Sequence, residues 1–135
     1  MPLDDTAKTT KLERTGDEYK EWADVYWLKS DLPTMYRCGW YYALAAYAYE
    51  HAGPSGYEQA GWCYHFAGHR FRYLEEYEPA AKLYTKSAEC FEKSKSGDSY
   101  MRARRAYRRS KMMWREVGEI EEYNEVEQKE RYLEL

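Results

Sequence analysis

The amino-acid sequence predicts an all-α fold, and three observations predict it. Val and Ile, the residues best suited to a pleated sheet, occur only three times and once, against fourteen Ala, sixteen Tyr and nine Leu. The prolines at positions 2, 33, 54 and 79 mark boundaries at spacings that suit helices joined by short turns. Apolar and small residues then recur at helical spacing, most plainly between residues 60 and 91. A chain of 135 residues that is 44% apolar is sized for one domain and is too hydrophobic for intrinsic disorder.

Residues 1 to 15 hold no apolar run and read as a flexible N-terminal segment, with residues 16 to 135 as a single helical domain. The first helix is expected over 16–30. Its stripe of Tyr19, Trp22, Ala23, Tyr26 and Trp27 is too aromatic to be left in water, so it caps the stack or contacts another subunit. The second, over 34–52, carries Tyr41, Tyr42, Tyr47 and Tyr49, more phenols than one core face accommodates, so some hydroxyls are expected to reach water or a partner. HAGPSG ends it, and a third helix follows over 56–75 with a buried stripe of Ala60, Tyr64, Ala67, Gly68 and Phe71. A fourth, over 78–94, opens on Pro79 in its first turn, where a missing N–H costs nothing, and repeats the alternation of small and large with Ala80, Ala81, Tyr84, Ser87, Ala88 and Phe91. KSKSGDS separates it from a fifth helix over 98–117, and Gly118 separates that from a sixth over 119–133. Connections this short make consecutive helices antiparallel neighbours, giving about three stacked hairpins.

In order and spacing, Tyr64, Ala67, Gly68, Phe71, Tyr77, Ala80, Tyr84 and Ser87 resemble the signature of a tetratricopeptide helical hairpin. A shift of 43 positions sets Ala60 on Ala103, Tyr64 on Tyr107, Ala67 on Ser110, Phe71 on Trp114 and Tyr77 on Ile120, suggesting a second, degenerate copy with Lys111 and Tyr123 out of pattern. Shifted back, Tyr84 falls on Tyr41 and Ala88 on Ala45; the first helix does not fit the register. The long period is closest to the looser tetratricopeptide-like arrays of vesicle-fusion attachment proteins. The alternative is an ordinary helical bundle.

The resemblance implies a concave groove that grips peptides. On the third helix the matching positions are Trp62, His65, His69, Arg72 and Tyr73, displaced from the buried stripe, and the 43-residue shift adds Arg105, Arg108, Met112 and Arg115. An indole, imidazoles, guanidiniums and a phenol can stack, donate hydrogen bonds and hold an anion, which suits an acidic peptide or a carboxylate. The opposing reading is that both imidazoles merely pack between hairpins and the arginines are solvated.

Other chemistries are written more weakly. His65 and His69 stand four apart, a spacing that can grip a zinc ion, and Glu76 or a residue of another helix could complete the set, but Arg72 opposes a cation and no His-Glu-x-x-His pattern occurs, so no metal or other cofactor is assigned. Phosphate loops, nucleophile elbows and Cys-x-x-Cys motifs do not occur, and no catalytic residue is assigned. The run MRARRAYRRSK holds six cations, yet eight glutamates follow from Glu116, and a formal net charge of -3 disfavours nucleic acid. An antiparallel last helix would pair many of those charges. Three scattered cysteines, Cys38, Cys63 and Cys90, read as reduced buried thiols of a cytoplasmic protein, and neither an export signal nor a membrane span is expected. The function expected from all this is a non-catalytic module that binds another protein or an acidic peptide. A homo-oligomeric bundle with a structural or regulatory role is the alternative.

Overall fold

The computed structural model of the chain describes residues 4 to 134 and is all-helical. Six helices follow one another: α1 (Asp4–Tyr26), α2 (Leu32–His51), α3 (Tyr57–Tyr73), α4 (Tyr77–Ser94), α5 (Ser99–Val117) and α6 (Ile120–Tyr132), with one 3-10 turn at Pro54–Gly56 before α3. Each packs on the next, and α3 also touches α5, so the chain zigzags as adjacent antiparallel pairs. No described helix is long and apolar enough to cross a membrane.

The largest departure from expectation is at the start. The first helix begins at Asp4, not near residue 16, so residues 4 to 15 of the expected flexible segment are helical; residues 1 to 3 lie outside the described residues. Gly16, where the first helix was expected to begin, is a packing glycine inside α1. A Cβ built there would come within 2.8 Å of the Tyr49 ring, so its hydrogen is what lets α1 lie close on α2. The first helix also ends four residues early, at Tyr26 and not residue 30, while the bounds of the other five hold to within two residues. Asp31 caps α2 by accepting from the Thr34 N–H at 3.2 Å, with Pro33 in the first turn.

The 43-residue shift has a physical counterpart in the last two hairpins. Helices α4 and α6 begin at residues 77 and 120. The turns before them close alike: Glu76 N–H donates to the Phe71 carbonyl at 2.9 Å and Glu119 N–H to that of Trp114 at 3.0 Å, each past a residue at positive φ, Glu75 and Gly118. Tyr64 and Tyr107 are both buried, and each donates from its hydroxyl to a glutamate of the preceding helix, Glu50 at 2.8 Å and Glu92 respectively. Ala60 and Ala103, and Phe71 and Trp114, are buried alike, whereas Ile120 is 70% exposed and does not take the place of half-buried Tyr77.

Helix α1 caps the array. Tyr19 and Tyr26 stack on Tyr41, Trp27 meets Tyr42 and Phe66 edge-on, and Ala23 is fully buried. Of the four α2 phenols, some of which were expected to reach water or a partner, Tyr47 is 58% exposed, while Tyr42 and Tyr49 donate back to α1, to Asp24 and Asp17. Buried tyrosines thus bring ring area to the core while their hydroxyls reach carboxylates at its edge, which satisfies those hydroxyls. Cys38, Cys63 and Cys90 are buried and unpaired, and burial pushes the thiols of Cys63 and Cys90 up to about 12.

Candidate functional site

Close packing of α3 on α4 builds the floor of the site. A Cβ on Gly68 would fall 2.9 Å from the Tyr84 ring and one on Gly61 2.8 Å from Phe91, so α4 rings lie flat against the α3 backbone. Ser87 seals the contact by donating to the Gly61 carbonyl at 2.7 Å. Tyr84 is fully buried, and its hydroxyl emerges between α3 and α5 at 2.5 Å from His69 Nδ1. The Arg72 guanidinium lies beside that same oxygen. An arginine can only donate, so the tyrosine proton points to Nδ1 and His69 is the neutral tautomer with its proton on Nε2. Burial, then Arg109 and Arg72, hold its pKa below the ordinary value, which agrees with that assignment.

His65 overturns part of the groove expected from sequence. It is only 9% exposed, with its ring centroid 4.1 Å from that of His69 and edge-on to Trp62 and Phe66. Burial first, then His69 and Arg109, push its pKa down to about 3. His65 is therefore a neutral packing residue and does not offer an open hydrogen-bonding edge. The stripe is wide enough to turn it inward because Phe66 and Trp62 cover it.

The expected arginines separate in the structure. Arg105 lies with Arg109 on the side facing α3, where their charges and that of Arg72 act on one another; burial, Arg105 and Arg72 lower the Arg109 pKa against the pull of Tyr84. None of Arg72, Arg105 and Arg109 forms an ion pair among the described residues. Arg108 turns the other way: its Nε donates to Glu130 of α6 at 3.0 Å, and Lys111 donates to the same carboxylate at 2.7 Å. Glu130 is only 4% exposed; burial pushes its carboxyl up, but the bonds from Lys111 and Arg108 prevail and hold it below the usual range. Arg115 shares the helical stripe of Arg108 and Lys111 and is exposed. Arg108 and Arg115 are thus removed from the site and Arg109 enters it. The 43-residue shift missed it because that shift finds equivalent positions on two helices, not positions that face one another. The signal available was the i, i+4 pair Arg105 and Arg109.

Trp62 and Tyr73 mark opposite ends of α3. Trp62 is 37% exposed and carries the Arg102 guanidinium 5.3 Å above its ring, with Arg102 paired to Glu58 at 3.0 Å. Tyr73, 75% exposed, lies at the other end and lines an adjoining cleft together with His69 and Arg72. Among the described residues no three His, Cys, Asp or Glu side chains gather as metal ligands. No family model, curated protein or solved structure matches the chain.

Proposed function

We propose that the chain is a non-catalytic binding module that takes an acidic segment of a partner protein on the face shared by α3 and α5, in the manner of a tetratricopeptide-like array. The observation that carries this reading is the set Arg72, Arg105 and Arg109, three guanidiniums brought together from two helices with no carboxylate among them. Charge left unpaired in this way repels itself in the free protein and is relieved by a bound anion. Trp62 adds aromatic area at one end and the neutral His69 a donor in the middle. Three buried thiols support a reducing, cytoplasmic setting.

The test uses a fluorescein-labelled oligoglutamate peptide, with oligolysine as the control. Binding of the acidic probe weakens with salt, and Arg105→Gln with Arg109→Gln lowers affinity about tenfold while Arg108→Gln changes it less than about twofold. Equal effects of the two sets, or no preference for the acidic probe, would overturn the assignment.

A second reading has its own observation. Trp40, Leu44 and Tyr47 of α2 are 60%, 44% and 58% exposed along one helical stripe, a surface suited to a second copy of the chain. Sedimentation across a concentration series distinguishes a self-associating bundle from a monomeric module.

A further inference from the structure

A cleft of about 1090 Å³ opens where the connection between α1 and α2 meets the C-terminal end of α3. Its walls are apolar: Trp27, Leu28, Leu32, Met35 and Tyr73 all line it, and Leu28 and Leu32 stand 90% and 62% exposed at its mouth. Exposed leucines on a corner turn contribute nothing to the core, and here they extend an apolar wall outward from Trp27.

The cleft also contains a buried charge without a counter-ion. Arg70 lines it and is 9% exposed, yet forms no ion pair among the described residues. One Nη donates to the Trp27 carbonyl at 2.6 Å, and the guanidinium lies 4.1 Å over the Trp27 ring. Its Nε is buried without a hydrogen bond, and the polar side chain beside the guanidinium is the neutral Cys38 thiol. The carbonyl and the ring orient the guanidinium but bring no negative charge, so a buried cation remains to be neutralised. The other charged groups lining the cleft are Lys29, Arg72 and Glu75, with His69 between them, so the wall is cationic overall.

We propose that this cleft binds a small amphipathic organic anion, a carboxylate carried on an apolar body, with Arg70 as its anchor. One carboxylate at the cleft-lining guanidinium balances its charge, while Trp27, Leu28, Leu32 and Tyr73 cover the apolar body. A free phosphate would use the cations but leave the apolar wall of Trp27, Leu28, Leu32 and Tyr73 uncovered. This site adjoins the face between α3 and α5 and shares His69 and Arg72 with it, but Arg70 and the leucines belong to the cleft alone.

Titration of the full chain with decanoate, below its micellar concentration, provides the test, with decanol as the neutral analogue and acetate as the headgroup alone. Decanoate is expected to saturate one site and to shift the Arg70 Nε–Hε NMR resonance, with decanol and acetate at least about tenfold weaker. Leu28→Ser with Leu32→Ser, both exposed and so harmless to the core, should weaken decanoate about fivefold or more. Arg105→Gln with Arg109→Gln should leave it unchanged, which separates this site from acidic-peptide binding. Equal binding of decanoate and decanol, an unmoved Arg70 resonance at saturation, or no saturable binding would overturn the proposal.

Discussion

Helix α5 presents two basic faces that differ in a single respect, and the difference shows what makes a run of arginines functional. Toward α6, Arg108 and Lys111 converge on Glu130, and Arg104 reaches Glu134 at 3.7 Å. Toward α3, Arg109 faces Arg105, Arg72, Tyr84 and both imidazoles, and no carboxylate. Arg108 and Arg109 are adjacent in sequence, but about 100° of helical rotation places one beside a buried carboxylate and the other among cations. The first face holds two helices together. The second is a surface whose charge the fold does not answer, and the same residue type serves both.

Three substitutions or conditions sharpen that contrast. The largest effect is expected from Gly68→Val, which drives a side chain into the Tyr84 ring and displaces the hydroxyl held against His69. A loss of about 3 kcal/mol is expected, read by urea denaturation, together with loss of the face between α3 and α5. Next, Glu130→Gln leaves Lys111 and Arg108 without their shared carboxylate and should cost about 2 kcal/mol, whereas Arg105→Gln with Arg109→Gln should be neutral or slightly stabilising. A similar loss from both would mean that the two faces are not different in kind. The smallest effect is a pH dependence of the imidazole side. His65 has a folded pKa near 3 against an ordinary value near 6.5, so the unfolded chain binds the extra proton between them. Its stability contribution is complete above about pH 6.5 and is lost as pH falls toward 3, about 1 kcal/mol by pH 5.5. His65→Gln should flatten that slope between pH 7 and 5.5, measured by thermal melts at several pH values.

Much of the architecture was legible in the sequence because its signals are local. Pro33, Pro54 and Pro79 and Gly118 stop or start helices through their own backbone restrictions, whatever surrounds them. Gly16 shows where local signals stop: glycine frees the backbone, but here it is used for its missing side chain against Tyr49, a residue 33 positions away. The site was legible in part. The expected residues His69, Arg72 and Arg105 meet, with Trp62 at the edge, while His65 is buried and Arg108 faces α6. Arg70, the cation that anchors the corner cleft, drew no attention because an arginine near a helix C-terminus is ordinary and only burial makes it unusual.

By itself, then, the sequence determined that the chain is helical, where its helices turn, and that its last two hairpins repeat, since each rests on backbone preference and a period read along one strand of chain. Only tertiary structure decided which cations find an acid, which imidazole is covered and which glycine is a contact. Those outcomes depend on the rotation of one helix about its axis relative to the next, a quantity that packing across the whole interface settles and that no single stretch of residues contains.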